Sequence, residues 1–369
     1  MLKENKQSTE LLERTTIVTP DRAFGSIIEA KDYFASRKIQ TGQYFGNQLS
    51  VRMDGGKMFL AIKGEHKHAI FHVRDSGAEG LLMRAGMGVG SFPMTVCDDH
   101  LIEYNLNHLF NNIVAGEKFT VILDKSPDET CSAIKSVMSG VYTHIPHKDV
   151  LNIVSNLGID FKVHGLSLTK DFFRINITNP ANKVEVKVGD VSSIGVDLLN
   201  SETGHASLWM GQYVYRYWCK NGCSHIDNNS AIRSRAIHRG NEIHKALVDF
   251  KAGARTYLLQ GADILKKNFE IMMDQEVTEN FLRKATGRIE MAVGKKNTVD
   301  MVDEWEKSTK QKPCEGSEWE DRKMVEYDNN RFDFTQLVTR TAHRDYTGVK
   351  RLGLEKVGGW LYAKAPAMA

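Results

Sequence analysis

The spacing of apolar residues changes near residue 240, and this change bounds the fold more tightly than any other feature of the chain. Before it, apolar and polar residues alternate in short runs. After it, apolar residues recur every three to four positions, as in Leu247, Phe250, Tyr257, Leu258, Ile264, Leu265, Phe269 and Met272. Alternation sends successive side chains to opposite faces of a strand, whereas the longer repeat builds one face of a helix. The sequence therefore predicts an α+β fold, with an antiparallel sheet and packed helices first and a mostly helical C-terminal half after.

Local signals place the elements. Asp54-Gly55-Gly56 lies between two alternating runs, 48–53 and 57–63. Glycine accepts the positive φ of a tight hairpin turn, so these runs form a hairpin, and 69–74 adds a third strand. Helices are expected from Asp21 onward, over 98–114 and over 147–157. Strands return at 160–165, 171–178 and 183–188, with Asn179-Pro180 in the turn between the last two. Further strand patterning covers 194–199 and 207–218, residues 241–308 read as mostly helical, and 309–325 read as an exposed charged loop. Two helices, 335–343 and 351–362, close the chain. This divides it into a flexible arm (1–20), an α+β core (21–240), a helical region (241–330) and a C-terminal segment (331–369) that packs back on the core.

The 369 residues are 41% apolar and 26% charged, enough to bury a core and to exclude global disorder. Net charge is only +3, so any affinity for nucleic acid must come from a local patch. No apolar run reaches membrane-spanning length, and the first residues lack the apolar stretch of a signal peptide. Five scattered cysteines do not form a disulfide framework and fit a reducing cytoplasm.

The segment from Trp209 to Arg255 supplies such a patch. It holds eight basic residues, Arg216, Lys220, Arg233, Arg235, Arg239, Lys245, Lys251 and Arg255, against three acids. Its first part interleaves Trp209, Tyr213, Tyr215, Tyr217 and Trp218. Cations neutralise phosphates and planar rings stack on bases, a combination suited to single-stranded nucleic acid. Arg233, Arg235 and Arg239, with His238 and Lys245, suit phosphate, because guanidinium offers paired donors. Tyr217 and Trp218 suit stacking. In a strand, Tyr213, Tyr215 and Tyr217 share one face and Val214, Arg216 and Trp218 the other, so one of those faces can equally be core. An inward Arg216 would require a buried carboxylate such as Glu202.

Other chemistries leave weaker traces. Cys219, Cys223, His238 and His244 form a loose two-cysteine, two-histidine pattern, but the spacing is poor for zinc, and neither a metal nor a cofactor is expected. Phosphate-loop, nucleophile-elbow and zinc-protease signatures are absent. Clustered acids at Asp98-Asp99, Asp303-Glu304 and Glu318-Glu320-Asp321 would serve a cation-dependent nuclease, yet each also fits a helix start or a solvated face.

Asn200-Ser201-Glu202-Thr203-Gly204 leading into Arg216-x-x-Cys219-x-Asn221-Gly222 resembles the signature of a phage- and plasmid-borne family, the domain of unknown function numbered 932. Lys135 to Tyr142 ahead of Asp149-Val150-Leu151, Arg235-x-x-His238, and Leu354-Glu355-Lys356-Val357-Gly358-Gly359 fit the same pattern in order. The resemblance covers roughly residues 130–365, and Cys223 departs from it. It implies a mobile-element context and, by analogy, the oligomeric, ATP-independent proteins that anneal single strands in phage recombination. Each signature residue also has a structural use. Gly204 and Gly222 suit turns with positive φ, and Asn200 and Asn221 suit turn caps.

The resulting expectation is a cytoplasmic, homo-oligomeric protein of a phage or plasmid that binds single-stranded DNA in recombination or replication. Its contacts would be Arg216, Tyr217, Trp218, Lys220, Arg233, Arg235, His238, Arg239 and Lys245. A cation-dependent nuclease and a phage structural or counter-defence protein remain the alternatives.

Overall fold

The computed structural model describes residues 22–64, 68–85, 98–126, 129–170, 172–187, 190–216, 221–225, 235–236, 238, 243–310, 328–346 and 348–364. The described residues open with a two-residue strand, β1 (Arg22–Ala23), and α1 (Ile27–Ser36). The helix expected from Asp21 thus starts later. Ser26 caps it by accepting from Glu29 N at 3.1 Å, and the Glu29 carboxylate returns to Gly25 N at 2.8 Å.

Two three-stranded sheets follow. The first, ordered β2-β6-β7, joins β2 (Lys38–Phe45), β6 (Lys118–Lys125) and β7 (Ala133–Ser139). The second joins β3 (Leu49–Asp54), β4 (Lys57–Lys63) and β5 (His68–His72), the hairpin and third strand expected from the sequence. Gly55 and Gly56 take φ of 57° and 76°, as a two-residue hairpin turn requires. A parallel bridge from Val73 to Ile134 stitches the two sheets together. Helices α2 (Asp75–Arg84) and α3 (Asp99–His108) cover them, and Leu81, Leu82, Ile102, Leu106 and Phe110 close a core with Leu60, Val121 and Ile134. α3 also seals the open edge of β3. Asn107 exchanges two hydrogen bonds with the Val51 backbone, Glu103 accepts from Met53 N, and Asp99 accepts from Gly56 N, at 2.7–2.9 Å.

After α4 (His147–Ser155) the chain builds the main antiparallel sheet. Its strands are β8 (Lys162–Leu168), β9 (Phe173–Lys187), β10 (Asp190–Asn200), β11 (Leu208–Arg216) and β12 (Asn221–His225), with β1 outside β8 and β13 (Arg235–Ala236) on β11. The turn expected at Asn179-Pro180 is a bulge inside one continuous strand. Thr178 pairs Gly195 and Lys183 pairs Ser193, leaving 179–182 out of register. Asn179 and Asn182 tie that bulge to the Leu258 carbonyl.

Alternation gives the main sheet two different faces. Ile175, Ile177, Val196, Leu198 and Met210 pack under α1, α4 and the first half of α5 (Ile243–Asp274), so this helix belongs to the same core as the sheet. The other face carries Arg174, Asn176, Asp197, Trp209 and Tyr213, all buried. Helices α6 (Glu279–Val293), α7 (Lys295–Lys310), α8 (Arg331–Asp345) and α9 (Gly348–Lys364) form a further core through Phe281, Ile289, Trp305, Phe334 and Leu354. α9 leans from it onto the main sheet, where Leu352 meets Leu199 and Trp209. The α+β class is as the sequence predicts. The arm, residues 1–20, and the charged loop, 309–325, fall outside the described residues except at 309–310, where the loop is the end of α7. Among the described residues no helix is long and apolar enough to cross a membrane.

Candidate nucleic-acid interface

β11 divides the expected aromatic platform. Trp209 is 6% exposed and lies under Lys356 of α9, whose ammonium is 5.2 Å from the ring centre. Tyr213 is 3% exposed, and burial, reinforced by the Glu355 carboxylate, pushes its phenol far above the usual range. These two rings are core. Tyr215 is half-buried and stacks on His164 with centroids 3.6 Å apart. Val214 instead joins Phe269, Met272 and Phe332 on the opposite face, which is the alternation expected of a strand.

Arg216 ends β11 opposite Ser192 of β10 and Asn221 of β12. The carboxylate suggested for it, Glu202, is held by Lys135, His147 N and Arg37. Asn221 and Gly222 open β12, paired to Arg216 and Tyr215, and so are strand residues rather than a turn. Tyr217, Trp218 and Lys220, together with Arg233 and Arg239, lie outside the described residues. The backbone of Arg235 pairs with Trp209.

His238 sits inside. Its ring is 6% exposed and stacks on Tyr142 at 5.2 Å, and its carbonyl accepts from Thr143 N at 3.0 Å. Burial lowers its pKa to about 4, so it presents no charge to a phosphate near neutral pH. Of the loose metal pattern, Cys223 pairs Val214 in β12, His244 falls in the first turn of α5, and Cys219 is outside the described residues. Among the described residues, no three histidine, cysteine or carboxylate side chains gather to hold one ion.

On α5, the picture is different. Lys245, Lys251 and Arg255 are all exposed, and no ion pair links any of them to a carboxylate among the described residues. They continue, in sequence, the basic run that starts at Arg216.

The signature residues 200–204 organise a buried charge network instead of a surface. Asn200 Nδ2 donates to the Ile145 carbonyl and approaches His147 Nδ1 at 2.9 Å. Ser201 Oγ accepts from His205 N at 3.1 Å. Gly204 has φ of 79°, a left-handed conformation that favours glycine. These contacts present Glu202, 1% exposed, to Lys135 Nζ at 2.5 Å, His147 N at 2.7 Å and Arg37 Nη1 at 3.7 Å. Burial opposes the Glu202 charge, but the Lys135 ammonium and the Arg37 guanidinium hold its carboxyl well below the usual range. Arg37 in turn grips Asp124 with two hydrogen bonds, 2.6 and 3.1 Å, and Arg74 joins Asp124 to Glu129. The network fastens the β2-β6-β7 sheet to the loop after β10.

A second network fastens the main sheet to the last two helices. Arg174 binds Asp197 through two 2.8 Å hydrogen bonds and also meets Glu355 of α9. Glu355 further contacts His343 and Arg351, each at 3.0 Å. Burial would raise its carboxyl, yet Arg174 and His343 hold it at about 2. Sequence reading placed Glu202 and Glu355 in motifs without assigning them these partners. The visible signal was a lone charge among aliphatic strand residues, as with Lys135 and Arg174.

Of the acids considered for a nuclease, Asp98 and Glu304 have local uses, and Glu318, Glu320 and Asp321 lie outside the described residues. Asp98 caps α3 through Leu101 N at 2.7 Å, and Glu304 pairs Arg344 at 2.9 Å. Comparison with protein-family models, with curated proteins and with solved structures gives no match to this chain.

Proposed function

We propose that this chain binds single-stranded DNA without cleaving it, as a homo-oligomeric recombination or replication protein of a phage or plasmid acting in the host cytoplasm. The observation that carries the reading is the trio Lys245, Lys251 and Arg255, exposed on α5 and free of ion pairs with described carboxylates. Unpaired surface cations release counterions from a polyanion at no cost of breaking an internal salt bridge. The nearly neutral remainder of the chain makes this local excess distinctive. Resemblance of residues 200–222 and 354–359 to the domain 932 family supports the mobile-element context. Arg216, Tyr217, Trp218, Lys220, Arg233, Arg235 and Arg239 would extend the surface, whereas His238 as placed would support it from beneath.

Fluorescence anisotropy with labelled single-stranded and duplex oligonucleotides, with and without magnesium or manganese, tests the reading. Tighter binding to the single strand, weakening with salt and leaving the strand intact, is expected. No binding at low salt, or cleavage of the strand, would overturn it.

A further inference from the structure

We infer that the outer edge of β2 is a self-association site, pairing antiparallel with β2 of a second copy of this chain. The two small sheets, joined at Val73–Ile134, have two outer edges, β2 and β3. They are treated differently. Asn107 and Glu103 of α3 occupy the β3 backbone, and Asp99 holds the hairpin turn at Gly56. Among the described residues β2 is bonded on this edge at its end, where Gln48 Oε1 accepts from Phe45 N at 2.7 Å, while its ladder partner is β6. Open edges are normally blunted by proline, bulges or inward charges. β2 has no proline, its register with β6 is unbroken, and its sole charge is Lys38 at one end.

The hydrogen-bond phase identifies the available groups. Gly46 N donates to Glu117 O in continuation of the β2–β6 register. Bonded pairs alternate in an antiparallel ladder, so the even-numbered residues of β2 face β6. The N–H and C=O of Ile39, Thr41 and Gln43 therefore face outward.

The strand is also complementary to itself. A two-fold axis through Gly42 places Thr41 opposite Gln43 and Ile39 opposite Phe45 of the other copy. The two Thr41–Gln43 pairs then use outward-facing N–H and C=O groups, whereas in the Ile39–Phe45 pairs the Phe45 N–H is already held by Gln48 Oε1 and the contact is between side chains. Phe45, a large apolar residue left 43% exposed, gains the half-buried Ile39 as its neighbour. The two Lys38 residues fall at opposite ends, about 26 Å apart along the strands, so like charges do not meet. An isologous contact of this kind closes as a dimer rather than growing into a fibre.

Sedimentation equilibrium of the full chain at micromolar concentration tests the inference, compared with Thr41→Pro. That substitution removes an outward N–H and leaves the β6 ladder intact. The wild-type chain is expected to dimerise, and Thr41→Pro to weaken the dimer by at least about tenfold with unchanged far-ultraviolet circular dichroism. Should the variant fail to fold, hydrogen exchange on the wild-type chain decides, with protection at Ile39, Thr41 and Gln43 expected to rise with protein concentration. A monomeric wild type, a folded Thr41→Pro that still dimerises, or concentration-independent exchange at those three amides overturns the proposal.

Discussion

Lys135 Nζ lies 2.5 Å from Glu202 Oε2, with both side chains sealed from water and 67 positions apart in the chain. The pair links a strand of a small sheet to the loop that follows β10, and it does so where no solvent can compensate a lost partner. Removing one member of such a pair leaves a buried charge and costs about 3–5 kcal/mol, whereas removing both at matched volume costs far less.

Lys135→Met is accordingly expected to destabilise the chain by about 3 kcal/mol or more in urea unfolding. Lys135→Met with Glu202→Gln should recover part of that loss, because no ion is left unpaired. Equal or greater loss in the double variant would mean that the two residues do not act as a pair.

Stability should fall with pH from near 6.5 downward. Burial lowers the pKa of His147 well below 6.5 and that of His238 to about 4. In the folded chain these rings stay neutral, while in the unfolded chain they take up protons below pH 6.5. Each depressed histidine then removes about 1.4 kcal/mol per pH unit across that window. Below about pH 4.5 the depressed carboxyls Glu202 and Glu355 begin to add to the loss. His238→Phe keeps a ring stacked on Tyr142 and should make the urea midpoint less steep in pH between 6.5 and 4, by about one proton. An unchanged slope would contradict the buried, neutral placement of His238.

Gly204 offers a test of the signature loop. At φ of 79° an added Cβ is strained and would also sit 2.1 Å from the Met138 methyl. Gly204→Ala is expected to cost about 1–2 kcal/mol for the backbone alone, since the methyl is the far end of a flexible side chain and can move. Gly204→Asn should cost less, because asparagine tolerates the left-handed region. The reverse order in thermal melts would argue against that conformation.

Much of the scaffold is legible in the sequence because it is written locally. Asp54-Gly55-Gly56 announces its hairpin, Asp98 its helix, and the switch in periodicity after residue 240 the helical half. The start of α1 was displaced because Ser26, not Asp21, supplies the cap. The turn at Asn179-Pro180 shrank to a bulge because Asn179 and Asn182 could anchor to α5, a contact 76–79 residues away. The candidate site was legible only in part for the same reason. Tyr213 and Trp209 read as available rings, but α9 arrives from far along the chain to cover them. Buried charges such as Asp124 look like surface residues until Arg37, 87 positions earlier, is seen to hold them.

The salt dependence of single-strand binding, measured for the wild-type chain and for Lys245→Gln, Lys251→Gln and Arg255→Gln combined, tests the central claim most directly. These side chains are exposed, so the variant should fold as the parent does. Each phosphate contact contributes about 0.7 to the slope of log affinity against log salt for a single strand. The account predicts weaker binding and a slope shallower by about 2 in the combined variant. Unchanged affinity and slope would contradict it.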